Sequence, residues 1–305
     1  MAQAKTKKRR ASNKERITPL TAVILFLLVV ISAVLVWMIL WSIITAFKAD
    51  WDYSGLFGER NIIGLPQELA WNFGRIMKYL YIEVMTDTGA KIVGVPMMTL
   101  NSILYSVGNT ITNTMVPCLA AYKCARFRYK FSTIVHTTII VTMVIPVVGT
   151  LPMQIKVADF FGLFDSIIGC WIMNANALGM YFLVFYGTFK ALPMAYTEAA
   201  RIDGAGNFSI LIKIILPMMR NTIMTVMLIK FIGYWNEYAN ILIWLPSHPT
   251  LAVGIFEVTH SSINDLQDLP TQMAGAVLLL IPTTVLFLTF HKKLIGNLKM
   301  GGLKG

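Results

Sequence analysis

Long apolar runs separated by short polar loops dominate this chain. From Ile17 to Phe47 no charged residue occurs, and further apolar runs lie at Asn101 to Tyr122, Phe131 to Gln154, Ser166 to Phe189, Asn221 to Leu245 and Thr271 to Phe290. About 20 apolar residues, rising 1.5 Å each, carry a helix across the hydrocarbon of a bilayer. The pattern therefore predicts an all-α integral membrane protein with six transmembrane helices. The first run is too long for the apolar core of a signal peptide and has no small-residue cleavage site, so it is expected to remain as an anchor. Pro117 falls late in the second run, Pro146 and Pro152 toward the end of the third and Pro282 inside the sixth, and each predicts a kink because proline removes a backbone donor. In the first outer loop, residues 66 to 84 fit one amphipathic helix.

Charge orients these spans. Cytoplasmic loops of membrane proteins are rich in Lys and Arg. Residues 1–16 hold Lys5, Lys7, Lys8, Arg9, Arg10, Lys14 and Arg16 against the lone Glu15. Further basic groups occupy every second loop: Lys123, Arg126, Arg128 and Lys130, then Lys190, Arg201, Lys213 and Arg220, and finally Lys292, Lys293, Lys299 and Lys304. The loop after the fifth span carries Glu257, Asp265 and Asp268 with no Lys or Arg. Both termini are thus expected in the cytoplasm. The chain divides into a basic tail (1–16), the first transmembrane helix (17–47), an extracytoplasmic loop (48–96), a five-helix core (97–291) and a cytoplasmic C-terminal tail (292–305).

Composition narrows the class. Of the 305 residues, 56% are hydrophobic and only 13% charged, where a soluble domain carries about a quarter. The formal charge of +11 sits in clusters beside apolar runs, so its partner is the lipid bilayer or another subunit, with no nucleic acid implied. Cys118, Cys124 and Cys170 lie in or beside apolar stretches without metal-ligand spacing and read as packing residues.

No catalytic constellation is present. The sequence lacks a Gly-x-x-x-x-Gly-Lys-Ser/Thr phosphate loop, a His-Glu-x-x-His pair and a Gly-x-Ser-x-Gly elbow. The chain is therefore not expected to be an enzyme or to bind ATP, a cofactor or a metal by itself. Lys230, about 12 Å into the fifth span, costs about 2.5 to 3.5 kcal/mol at that depth and needs a partner or a wet cavity. It reads equally as a substrate-pathway residue and as a helix-packing residue. Trp235, Asn236 and Glu237 follow on the same span. Asn109 and Asn113 lie one turn apart in the second span, while Asn174 and Asn176, followed by Tyr181, lie in the fourth. Such amides bond between helices or meet a polyhydroxylated solute.

Between the fourth and fifth spans lies a polar island, residues 193–217. Pro193 suits the first turn of a helix, Gly204 is suited to ending one, and Pro217 is expected to stop the second helix and open the next segment. Two short helices meeting at a glycine make an elbow. Within it Glu198-Ala199-Ala200 is followed after three residues by Gly204, and after nine more by Ile214-Ile215-Leu216-Pro217. This spacing resembles the signature loop of the permease subunits of ATP-binding-cassette importers. Ala120-Ala121-Tyr122 before a basic turn, Trp235-Asn236-Glu237-Tyr238, and the ending Gly301-Gly302-Leu303-Lys304-Gly305 are similar to the carbohydrate-uptake class, specifically its smaller maltose-type membrane subunit.

The resemblance implies a bacterial-type cell (inner) membrane and a division of labour. A second, non-identical permease subunit would complete the pathway, two cytoplasmic ATPase subunits would bind ATP and magnesium, and an extracytoplasmic binding protein would deliver an oligosaccharide. The elbow, with Glu198, Ala199, Ala200, Asp203, Gly204, Ile214, Leu216 and Pro217, would transmit ATPase closure as rigid-body motion. Import of glycerol phosphate or another polyol derivative is an alternative in which Lys230 would serve the phosphate. A secondary transporter is another, although that class calls for internal repeats and paired intramembrane acids.

Overall fold

The structure is a computed structural model and describes residues 18–55, 58–86, 89–127, 129–145, 149–260 and 266–298, the last eight as helix backbone. The basic tail, Arg128, Pro146, the side chains of Lys292 and Lys293, and the Gly-Gly-Leu-Lys-Gly ending lie outside the described residues.

Helix α1 (Pro19–Ala46) starts where the Thr18 hydroxyl accepts a bond from the Thr21 amide at 3.2 Å, with proline in the first turn where no donor is needed. It is apolar all round, exposed from Leu20 to Leu40, which suits a helix whose solvent is lipid. Its far end is closed by Asn72, whose amide donates to Ala46 O at 3.0 Å and Lys48 O at 2.8 Å.

Residues 48–94 form a cap of α2 (Asp50–Ser54), α3 (Asn72–Tyr79) and an antiparallel hairpin, β1 (Tyr81–Thr86) paired with β2 (Gly89–Gly94) from Tyr81↔Gly94 to Thr86↔Gly89. The all-α expectation is corrected at this hairpin, and the helix expected over 66–84 shrinks to 72–79. Alternating Leu80, Ile82 and Val84 place Leu80 and Val84 in the core, a period of two that a strand satisfies and a helix does not. Asp52, 2% exposed, fastens the loop by accepting from Asn61 Nδ2 and the Gln67 amide, each at 3.0 Å. Lys48 is buried beside it and donates to the carbonyls of Asn61 and Ile62. Burial pushes the Lys48 ammonium below the ordinary lysine value, and nearby Asp52 offsets part of that shift. Asp52→Ala leaves the part-buried donors of Asn61 and Gln67 without their charged acceptor, and the expected cost of about 1 to 3 kcal/mol should appear as a lower thermal midpoint together with faster proteolysis of residues 58–70.

Helix α4 (Val95–Arg126) is the central post, packed against α3 and against several of the helices that follow it. Pro117 lies within it and the helix continues across it. The third run divides into α5 (Lys130–Val144) and α6 (Leu151–Phe160), with Pro152 opening α6 in its first turn and not kinking a helix. The fourth divides into α7 (Ile167–Met173) and α8 (Met180–Ala191), separated by a non-helical stretch ending at Gly179, whose φ is +114°. After the elbow helix α9 (Ala195–Ile202), one helical run extends from 207 to 235 as α10 (Asn207–Ile210), a π segment (Leu211–Ile215) and α11 (Leu216–Trp235). Then come α12 (Ala239–Trp244), α13 (Leu251–His260) and α14 (Leu269–Leu298), the last continuous through Pro282. Among the described residues, 19–46, 207–235 and 269–290 are long and apolar enough to cross a membrane.

Pro217 does not end a helix. Proline there has no N–H for residue 213, and its ring crowds that carbonyl. The widened turn just before it, in which the Leu216 amide reaches Leu211 O, takes up the misfit without a break.

Three apolar clusters hold the bundle. One joins the cap to α4, α11, α13 and α14 through Ile76, Leu80, Val93, Met98, Trp235 and Ala274. A second, at the elbow end, joins α4, α8, α9 and α11 through Cys118, Tyr122, Phe182, Phe185, Ala200 and Met219. The third joins α4, α7, α12 and α13 through Tyr105, Cys170, Ile241 and Val253. The Arg75 guanidinium pairs with Asp268 at 2.8 Å and donates to the Thr271 hydroxyl, tying the cap to the first turn of α14.

Candidate functional site

Two places gather the expected residues: the elbow, and a cavity inside the bundle. In the elbow, α9 has two faces. Thr197 and Ala200 are buried, Ala200 against the α4, α8 and α11 side chains. Glu198, Ala199, Arg201, Ile202, Asp203 and Gly204 are exposed.

The turn is set by Gly204 at φ +79°. Its amide donates to Arg201 O at 3.0 Å and that of Ala205 to Ala200 O at 2.9 Å, the paired bonds that satisfy the last carbonyls of a helix ending in a left-handed glycine. Asp203 is the C-cap of α9. Arg201 reaches across the turn to Asn207 Oδ1 at 3.3 Å. Ile214 and Leu216 are half-buried in the helix that follows, and Pro217 is exposed.

Sequence reasoning missed the two most exposed apolar residues of the elbow. Ile202 is 85% exposed and Phe208 is 74% exposed, one on each side of Gly204. The available signal was their position: large apolar groups flanking the bend of an otherwise polar loop. An apolar pair held out from a charged surface needs a partner to cover it.

Arg126 braces the base of the elbow. Its guanidinium donates to Leu192 O at 3.0 Å, closing the end of α8 just before α9 begins.

The cavity holds about 330 Å³ and is lined by residues that include Tyr105, Gln154, Asn174, Asn176, Tyr234, Glu237, Asn240 and Trp244. The break between α7 and α8 presents Asn174 and Asn176, and the break between α11 and α12 presents Glu237. Non-helical backbone inside a bundle is tolerated where it faces protein or a wet cavity, and here both breaks border the same one.

The amides also bond between helices. Asn174 Nδ2 donates to Asn109 Oδ1 at 2.9 Å, and Asn113 Nδ2 donates to Asn174 O at 2.8 Å. Asn109 in turn donates to Tyr105 O at 2.8 Å. Residues 105, 109 and 113 thus form a stripe down α4 that fixes the α7 end and sets the Tyr105 ring at the cavity. Tyr105 meets Tyr234 edge to face, with centroids 5.9 Å apart. Glu237 Oε1 accepts the Asn240 amide at 3.1 Å, an N-terminal bond for α12.

Lys230 and Tyr181 come together elsewhere. The Lys230 ammonium lies over the Tyr181 ring, 4.5 Å from its centroid. This cation–π contact gives the intramembrane charge a partner, and neither residue lines the cavity. Trp235 is placed away from the cavity as well: it is 3% exposed, and its indole donates to Leu279 O at 3.1 Å, so it joins α11 to α14. Asn236 is exposed and donates back to Ile232 O at 2.8 Å. Tyr105, Gln154, Tyr234, Asn240 and Trp244 went unrecognised because they are spread over α4, α6, α11 and α12 and only the fold brings them together.

Comparison with known proteins follows the same lines. The family described as binding-protein-dependent transport system inner membrane component matches residues 113–298. The melibiose/raffinose/stachyose import permease protein MelC of Bacillus subtilis is 29% identical over 216 residues, 66% of this chain and 77% of that protein. The trehalose/maltose transport system permease protein MalG of Thermococcus litoralis is 28% identical over 232 residues, 74% of this chain and 80% of that protein. In fold, the chain is similar to one in the crystal structure of a bacterial ABC transporter involved in the import of the acidic polysaccharide alginate. That match has a TM-score of 0.72 at 20% identity and covers 90% of this chain and 95% of the other.

Proposed function

Because this chain belongs to the binding-protein-dependent transport system inner membrane component family, we propose that it is the permease subunit of an ATP-driven importer of carbohydrates, oligosaccharides in particular. It forms half of the pathway with a second permease. Two cytoplasmic ATPase subunits carry ATP and magnesium, the elbow sits in a cleft of the ATPase, and an extracytoplasmic binding protein delivers the solute at the cap end.

The observation that carries this reading is the two-faced elbow. Ala200 anchors α9 to helices of the bundle, while Glu198, Arg201, Ile202 and Phe208 stand outward. Movement of a partner gripping the outer face is passed to α4, α8 and α11 as rigid-body motion, since a packed core shifts as a unit. Glu198 supplies a charge for a basic partner and Gly204 holds the bend.

The cavity supports a polyhydroxylated, uncharged solute. Asn174, Asn176, Gln154 and Asn240 offer amides, and Tyr105, Tyr234 and Trp244 offer ring faces and polar tips. Lys230 over Tyr181 favours this over glycerol phosphate, because the cation is already partnered away from the cavity.

Reconstitution tests the whole reading. Vesicles holding this chain, its second permease and the ATPases should accumulate oligosaccharide only with both ATP and binding protein; accumulation driven by an ion gradient without ATP would overturn it. In the same vesicles Lys230→Met should lower uptake by less than about tenfold and also reduce the thermal midpoint, since a contact worth about 0.5 to 2 kcal/mol is lost. A large uptake loss with unchanged stability would instead place Lys230 in direct contact with solute.

A further inference from the structure

A second and larger cavity, of about 800 Å³, opens at the elbow end between the last turn of α4, the first turns of α5 and the end of α8. Arg126, Lys130 and Lys190 line it together with Ser132, Thr133 and His136, and no carboxylate is among its lining residues. Its geometry holds Lys190 and Arg126 in place. The Lys190 ammonium lies 4.9 Å from the centroid of the Tyr186 ring, and the His136 ring centroid lies 4.4 Å from that of the same tyrosine. Arg126 is fixed by its bond to Leu192 O, and its Nε is buried with no hydrogen-bond partner.

Three cations gathered around one concavity repel one another, and the uncompensated donor adds to the cost. An anion that enters relieves the repulsion. The surroundings say which kind of anion. Tyr129, Phe131 and Ile134 beside the cavity are 67%, 74% and 61% exposed, an apolar shelf on the outer side of α5. A free anion needs no such shelf, whereas acyl chains do. The basic loops expected on the cytoplasmic side put the cavity at the level of that leaflet's headgroups, where anionic lipids collect basic residues.

We propose that this cavity binds the phosphate-bearing headgroup of an anionic lipid of the cytoplasmic leaflet, with the acyl chains lying along α5. The site depends on the membrane orientation of the chain and not on the identity of its solute. Met194, which also lines the cavity, directly precedes α9, so a bound lipid rests against the root of the elbow.

Native mass spectrometry of the full-length chain, exchanged from detergent into mixtures of phosphatidylglycerol and phosphatidylcholine, tests this. Phosphatidylglycerol should be retained preferentially. Lys130→Gln with Lys190→Gln should lower its affinity about thirtyfold, the effect of removing two cations near a membrane surface. Lys130→Arg with Lys190→Arg should keep it. Equal retention of the two lipids, or phosphatidylglycerol binding unchanged in the double glutamine variant, would overturn the proposal. Inorganic phosphate that displaces the lipid at millimolar concentration would also overturn it, by assigning the cavity to a soluble anion. Matched thermal midpoints for wild type and both double variants exclude misfolding as the cause.

Discussion

Gly204→Val is expected to cut ATP-dependent uptake by at least about tenfold while the amount of membrane-inserted protein stays unchanged. No atom lies within 4 Å of where a β-carbon would stand, so the penalty is conformational and not steric against neighbours. At φ +79° a side chain costs roughly 1 to 2 kcal/mol, and a β-branched one is a clear outlier. The chain escapes this by turning φ negative, which breaks the two amide bonds closing α9 and redirects the segment that carries Phe208. About 1.4 kcal/mol suffices for the tenfold loss. Gly204→Asn is the informative companion, because asparagine tolerates the left-handed region, and it should retain most of the uptake. If valine transports as well as glycine, the elbow is an ordinary loop.

The second large effect falls on stability. Gly169→Ala should destabilise the purified protein by about 3 kcal/mol, the upper end for an overpacked site, because the collision is with backbone. An added β-carbon would stand 1.9 Å from Leu163 O and 2.7 Å from Leu163 C. Leu163 cannot retreat easily: its amide donates to Ala158 O at 2.7 Å, Gly162 is at φ +65° and Asp165 at φ +51°. That turn also carries Asp165, which accepts the Ser247 amide at 3.0 Å. Displacement therefore reaches α7, which borders the cavity, on one side and the α12–α13 connection on the other. Gly187→Ala in α8, where a β-carbon meets nothing within 4 Å, is the control, and it should be neutral or stabilising by up to about 1 kcal/mol. Equal melting of Gly169→Ala and wild type would mean that α7 and the preceding turn are not so closely apposed.

How much of this was written in the sequence depends on the range of the interaction. The apolar runs marked α1 and α14 because a lipid-facing helix needs only length and local composition. Gly204 was legible for the same reason, since a helix-ending glycine acts within five residues. Interruptions were misjudged wherever the backbone could be satisfied from elsewhere. Pro217 reads as a stop, yet one widened turn absorbs it, while α7 ends before Asn174 where no proline stands and Asn113 of α4 takes up the Asn174 carbonyl. The cavity was half legible: Asn174, Asn176 and Glu237 are polar residues in apolar runs and stand out. Tyr105, Tyr234 and Trp244 look like any buried aromatics until the breaks in two different spans are brought against the same face of α4. Trp235 was grouped with Glu237 by adjacency alone, and the end of α11 separates them, sending one side chain to α14 and the other to the cavity.

The widened turn at Leu211–Ile215 also sets a phase. One residue advances an α-helix by about 100°, so a segment holding one extra residue offsets everything on its elbow side from the membrane-spanning side by roughly that angle. The direction in which Phe208 points is therefore not dictated by the face on which Lys230 lies; it is dialled by a single residue count. Within such a helix an insertion or deletion of one amino acid changes heading without changing composition, and two permeases with interchangeable elbows and interchangeable spans could still fail to share an ATPase.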